Sequence, residues 1–586
     1  MTASITGAAT TAAPTALQTL EALLGNPWDE TGPVSFAAIL DADESAQPLA
    51  AAESLVDQFG LSRFYVPASL GGELRRMDEL IALLRALCRR DPVLGFGHSL
   101  SSLMAAVNVW TVGEEHVCRR LAEALLDGER VACAYHELAH GNNLTGMALD
   151  ARIDGSGWRL TGRKEVVTNI ARSDMLVAYA RTDSTSSSRG HSLFLLRRST
   201  ARNGSIRMLA RFPAAGLRGV QLGGIEFFDT PVPAESLCGR TGQGLEAAVR
   251  SFQITRIVIP AMAVGSLDLA LRVAVRYARG RRLYGNRVVD LELVRSQIAA
   301  TFVDLQIADA LVAVAARVLH LRPREASLIA AAVKLHVPQL LHAGTTQLSA
   351  ILGAQFYLRD GENALMQKLV RDIGPTAFVH ASALTCQQTI LPQLPLVARR
   401  SWTSDGESAA AEQAADLFDL SGHLDDLDPT TLAVAHGGTD IILPGLDAWL
   451  GGPAATEIDG ARKLRSQLRA FVAEAAALPP SALAGDMSAA HVRLVERYVV
   501  LLAAACALQT WSAAATHSET ATPDWYRQCV VNRTLHRLGL RVGCDAALDD
   551  AVMGEIDRRY DDGLTFDLAA QRLPSTSTPP PTDRDR

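Results

Sequence analysis

The chain has 586 residues, 48% of them hydrophobic and 20% charged, with a formal net charge of −7 at pH 7. That length suffices for several domains around a sizeable core, and the charge, with no extended basic stripe, excludes the electrostatic footprint of a nucleic-acid binder. The eight cysteines, Cys88, Cys118, Cys133, Cys238, Cys386, Cys506, Cys529 and Cys544, form no CxxC pair and show no metal-ligand spacing, so buried reduced thiols and no metal are expected.

Residues 1–15 read as a disordered tail that lacks the charged and apolar regions of a secretory signal. Residues 16–130 read as a helical domain, with apolar residues at helical spacing in LAAAESLVDQFGL and DELIALLRALCRR. The texture changes near Val131, and residues 131–240 read as a β-domain. LDARID and WRLTG flank the Gly155-Ser156-Gly157 turn, a hairpin signal, and further strands are expected at 175–182, 191–198 and 223–233.

Helices return over 241–395. Leu267, Leu271, Ala274 and Ala278 share one face there, with Arg272, Arg276 and Arg279 opposite. Residues 396–460 read as a linker of loops, 461–572 as a helical extension, and 573–586 as a disordered tail by composition. The longest apolar run, Val499–Leu508, is too short to cross a bilayer, so no membrane span and a cytoplasmic location are expected. Periodicity alone gives an α+β protein, mainly α with a central β-domain.

Five stretches, taken in order over roughly residues 35–390, resemble the acyl-CoA dehydrogenase and acyl-CoA oxidase superfamily. They are GERVACAYHELAHGNNLTG (128–146), LTGRKEVVTNIARSD (160–174), GLRGVQLGGIEFFDTPVPAESLCGRTGQG (216–244) followed by ITRIVIPAMAVG (254–265), ARGRRLYGNRVVDLELVRSQIA (278–299) and SAILGAQFYLRDGENALMQKLVRDIG (349–374). The resemblance implies an N-terminal helical domain, a middle β-barrel-like domain and a C-terminal four-helix bundle, here followed by an extra helical domain. It also implies FAD, a homodimer, and an acyl-CoA or acyl-carrier-protein substrate. The electron acceptor would be oxygen or an electron-transfer flavoprotein.

The same resemblance implies cofactor-binding roles for Tyr135, Glu137, Gly141, Asn142, Thr168, Arg281, Tyr284, Gly353 and Ser382, and substrate-binding roles for His140 and Arg256. Arg281 would hold the FAD pyrophosphate through its fork of donors. Gly353 would let the adenosine half approach. Three positions depart from the family pattern. His136 replaces a Thr, Val166 replaces a Trp beside the flavin, and His380 stands where the family has the glutamate that removes the α-proton. The family's second location for that base reads FQITR, without a carboxylate.

His380 is therefore the candidate catalytic base, since histidine titrates near working pH without tuning; a positioning role is the alternative. Three functions remain open at this point. They are an acyl-thioester dehydrogenase or oxidase with an altered base, a flavin monooxygenase on the same scaffold, and a non-catalytic subunit of a hetero-oligomer.

Overall fold

The computed structural model describes residues 14–184, 187–402, 415–479, 487–517, 524–543 and 545–574. The terminal tails and Cys544 thus fall largely or wholly outside the described residues. Helices α1 to α6 span Ala16–Leu24, Phe36–Glu44, Ala50–Phe59, Met77–Arg90, Leu100–Val112 and Glu115–Leu126. Thr15 caps α1 through a reciprocal hydrogen-bond pair with Gln18, and Gly60 ends α3 in the left-handed conformation that glycine tolerates.

Strands β1 to β8 follow at Val131–Ala134, Asp150–Asp154, Gly157–Thr168, Met175–Arg181, His191–Arg197, Ile206–Leu209, Leu222–Val232 and Leu237–Cys238. The expected hairpin is β2–β3, antiparallel, with Asp154 opposite Gly157. The sheet runs β6-β7-β3-β2-β4-β5-β8, and β1 joins β4 in parallel. It curls around its own core, which includes Leu160, Val167, Phe194, Ile225 and Phe227. The short β6 lacked a strong alternating signal and was not anticipated.

Helix α7, Gly244–Gly280, then runs 37 residues without a break. A two-stranded hairpin, β9 (Arg282–Leu283) and β10 (Asn286–Arg287), separates it from α8 (Glu292–Leu321). Next come α9 (Ala326–Leu352) and α10 (Ala364–Ile373), which complete a four-helix bundle with α7 and α8. The short α11 (Ala383–Ile390) and α12 (Leu394–Val397) lead to the extension. Before it, α13 (Ile442–Gly451) forms within the stretch 396–460 that reads as loops; in the extension α14 to α17 span Ala461–Ala477, Ala489–His517, Asp524–Arg537 and Ala546–Asp561, with α15, α16 and α17 packed on α8.

The arginine face of α7 packs against other parts of the chain: Arg276 meets Glu362 and the Trp28 ring, while residues 564–572 and α17 cover Arg272 and Arg279. Arg272 pairs with Asp268 at 2.7 Å, donates to the Leu564 carbonyl and lies over the Phe566 ring, while Arg279 pairs with Asp557 and Asp561. Helices α7 and α8 are long and apolar enough to cross a membrane by length and composition, but their most apolar windows are 100% and 89% buried, as expected of bundle-core helices.

A buried ionic network joins these layers. Arg85 on α4 reaches Asp309 on α8 at 2.6 Å, Asp567 at 3.2 Å and the Ala261 carbonyl of α7 at 3.2 Å. Beside it, Arg89 and Arg90 hold Glu21 of α1 at 2.7 and 2.6 Å.

Candidate active site

His380 lies between α10 and α11, just past a turn of 3-10 helix at Gly374–Ala377. Its φ is +63°, a conformation that costs a non-glycine residue about 1–2 kcal/mol, and it is 5% exposed. The Phe252 ring lies 4.6 Å away and the His136 ring 6.0 Å away, centroid to centroid. The His380 Nδ1 stands 3.3 Å from Thr255 Oγ1, and that hydroxyl lies 3.2 Å from the Phe252 carbonyl. The carbonyl can only accept, so the Thr255 proton points to it. Thr255 then accepts from His380 Nδ1–H, which leaves the Nε2 lone pair bare. Burial first, then His136, Lys334 and Arg256, push the His380 pKa well below 6.5, so the ring is neutral at pH 7.

His136 reaches this site because the chain stays extended past β1, so successive side chains alternate. Tyr135 turns inward, His136 towards His380, and Glu137 inward again. The His136 Nδ1–H donates to the Gly141 carbonyl at 3.1 Å, which fixes its tautomer, and its backbone bridges Val166. Burial lowers the His136 pKa as well.

The same alternation corrects two expectations. Tyr135 is fully buried, stacked on Tyr179 at 4.8 Å, and its hydroxyl donates to Asn108 Oδ1 at 2.8 Å, so the side chain faces no cofactor. Glu137 is equally committed. It pairs with buried Lys164 at 2.8 Å and accepts the backbone N–H groups of Ala148 and Leu149 at 2.8 and 2.9 Å, anchoring the loop that carries Gly141 and Asn142. Burial, opposed by Glu137, brings the Lys164 pKa down to about 8.

The Ser382 hydroxyl, half-buried, caps α11 by accepting Thr385 N–H at 3.3 Å. His140 leans on Glu137 at 3.5 Å rather than joining His380. Thr168 ends β3, half-buried, and the next residue, Asn169 (φ +61°), is sealed and donates its amide to Gly97.

Arg256 follows Thr255 on α7, is 6% exposed, and makes no hydrogen bond or ion pair among the described residues; its Nε is buried without a partner. Lys334 of α9, 1% exposed, donates to the Thr376 carbonyl at 2.6 Å in the turn that leads to His380. Burial brings the Lys334 pKa down to about 7. Sequence reading missed this lysine, although a single cation inside the apolar run ASLIAAAVKLHV was a visible signal.

Arg281, Tyr284 and Gly353 lie elsewhere. Arg281 and Tyr284 belong to the exposed hairpin at the end of α7, and Tyr284 is 99% exposed. From Arg256 to Gly280 the helix rises about 36 Å at its usual pitch, beyond the reach of any side chain. Gly353 closes α9 at φ +57°, exposed, with no atom near the position of a β-carbon. These groups suit a dinucleotide: the Arg281 guanidinium has no side-chain partner among the described residues, an aromatic ring stands bare beside it, and the backbone at Gly353 is open.

Comparison with known proteins agrees with this architecture. Residues 132–230 match the acyl-CoA dehydrogenase middle domain and residues 242–379 the acyl-CoA dehydrogenase C-terminal domain. The chain is 24% identical over 316 residues to the caffeyl-CoA reductase–Etf complex subunit CarC of Acetobacterium woodii, covering 54% of this chain and 82% of that one. Among solved structures, butyryl-CoA dehydrogenase from Megasphaera elsdenii superposes with a TM-score of 0.58 at 20% identity, over 64% of this chain and 97% of that one. The prolyl acyl carrier protein oxidase AnaB gives a TM-score of 0.58 at 20% identity, over 65% and 97%. With the two domain matches lying end to end across the β-unit and the bundle, this chain belongs to the acyl-CoA dehydrogenase superfamily.

Proposed function

We propose that the chain is an FAD-dependent oxidoreductase that oxidises an acyl thioester between Cα and Cβ, with His380 as the base. The observation that carries this reading is the buried, neutral imidazole of His380, at the position of the family's glutamate and with a free Nε2. Bound FAD would supply the two-electron acceptor for hydride from Cβ. The chain's own residues do the rest. His380 Nε2 takes the Cα proton, Thr255 holds the ring in the required tautomer, and the apolar wall of Phe252 keeps water from it. The acyl group rides on CoA or on a carrier protein, and CarC and AnaB are relatives whose names carry an Etf complex and an acyl carrier protein respectively. The test is the mass of the product from a panel of acyl thioesters. Loss of two hydrogens is expected, and gain of an oxygen atom would replace this reading with the monooxygenase one, which the bare histidine pair also suits.

Extraction of the cofactor is expected to yield FAD rather than FMN, and Arg281→Ala to lower flavin occupancy more than it lowers the yield of folded protein. The exposed Tyr284, Leu293, Tyr357 and Leu358, near the hairpin or the end of α9, suit a second copy of this chain that completes each FAD site. Light scattering is expected to show a dimer. A stable monomer that keeps its flavin would contradict both points.

The pH dependence has a definite sign. A depressed His380 pKa means that the proton-accepting form survives below pH 6.5. For an acyl thioester, His380 is thus expected to put no acidic limb on kcat/KM between pH 8 and 6.5, because that ratio reports groups of the free enzyme, while Lys334, brought down to about 7, titrates within that window. An acidic limb centred near about 6.5, where an unperturbed histidine titrates, would contradict the buried geometry.

A further inference from the structure

Around His380 the structure buries basic side chains that meet no carboxylate among the described residues: the His136 ring at 6.0 Å, Lys334 on the Thr376 carbonyl, and Arg256, the neighbour of Thr255 on α7, with its Nε unpartnered. The ionisable groups that act on His380 are His136, Lys334 and Arg256; those that act on Lys334 are Cys386 and Arg256; the one that acts on Arg256 is Cys386. No carboxylate of the described residues stands among them. Elsewhere the chain pairs its buried arginines, as with Arg85, Arg89, Arg90 and Arg272, each of which meets an aspartate or glutamate. Arg317, also without a carboxylate, donates to the Asp416 and Gly422 carbonyls, whereas Arg256, 6% exposed, makes no hydrogen bond at all among the described residues. A buried guanidinium without an anion loses its hydration and gains nothing in return. Cys386 does not fill the role, because burial raises its pKa and keeps the thiol neutral.

We infer that Arg256, with Lys334 beside it, is the receptor for a carboxylate on the acyl group of the substrate, so that the preferred substrates are thioesters of dicarboxylic acids. The inference rests on the acyl-thioester reading above and narrows its substrate class. A carboxylate is the anion that an acyl chain can bring to this depth, since the phosphates of a thioester carrier lie at the other end of the ligand. Its charge would also do for His380 what the family's own residues do not do here. It would offset the cations that oppose imidazolium, so that the base gains strength when the matching substrate is bound. Lys334, which burial leaves about half protonated at pH 7 with its pKa brought down to about 7, would become fully protonated at the same time.

The test uses the flavin-loaded protein without oxygen and measures binding by calorimetry for chain-matched pairs, succinyl-CoA against butyryl-CoA and glutaryl-CoA against pentanoyl-CoA. The carboxylate-bearing member of each pair is expected to bind about 10- to 100-fold more tightly, the size of a charge-assisted hydrogen bond. Arg256→Gln is expected to remove that preference and Arg256→Lys to keep part of it. The wild-type comparison stands even if Arg256→Gln fails to fold. Equal binding within each pair, or a preference that survives in Arg256→Gln, would overturn the inference and leave the thioester reading intact. Absence of binding by all four thioesters would overturn the thioester reading itself, and the inference with it.

Discussion

His380→Ala is expected to abolish bleaching of the bound flavin by an acyl thioester, a loss on the order of 10²–10⁴ in rate, while the flavin stays bound. The separation of the two effects is what makes the result specific. His380 sits against Thr255, Phe252 and His136, whereas the groups suited to the pyrophosphate and adenosine lie on the hairpin after α7 and at Gly353. Alanine meets a similar backbone cost at φ +63°, so the variant should fold as the parent does. His380→Glu, which restores the family's carboxylate, is expected to keep or raise the rate, with Arg256 and Lys334 then facing a negative charge. If the parent never bleaches and His380→Glu begins to, the natural protein is not a dehydrogenase, and the monooxygenase or non-catalytic reading takes its place.

The largest effect on stability is expected at Arg85. Its guanidinium holds Asp309 and Asp567 and the Ala261 carbonyl, all buried. Arg85→Met keeps much of the volume but strands two carboxylates in the core. Breaking one partner of a buried ionic cluster costs about 3–5 kcal/mol, which chemical denaturation followed by circular dichroism would register. The first part to loosen should be residues 564–572, since Asp567 loses the nearer of its two guanidinium partners, Arg89 being the other at 3.8 Å. Limited proteolysis would locate that loosening, and a loss below about 1 kcal/mol would show that water already satisfies the cluster.

Much of the architecture was legible because local chemistry and global fold agree. The Gly155–Gly157 turn sits between two alternating runs, and the structure closes the hairpin there. Periodicity gave the helix–sheet–helix order, and the match over successive motifs, rather than any one of them, gave the family. On α7, spacing showed which arginines share a face and not what covers them; for Arg272 the cover arrives from residues almost 300 positions later in the chain. The site was less legible. The motif around ELAHGNN marked the right loop but not the direction of each side chain, and period-two alternation turns Tyr135 and Glu137 inward while it brings forward His136, the residue that breaks the motif. The helix-capping bond of Ser382 was not read from the sequence, although a serine just before a helix is a usual cap.

The unbroken length of α7 has a consequence for how the proposed dimer fills. One rod carries Thr255 and Arg256 under its own subunit's base and ends at the hairpin whose guanidinium suits the neighbour's dinucleotide. Neither copy can then load its flavin wholly on its own account, and ordering the hairpin around one cofactor stiffens the helix that frames the other pocket. Reconstitution of flavin-free protein should therefore populate empty and doubly loaded dimers, with singly loaded ones scarce at half saturation.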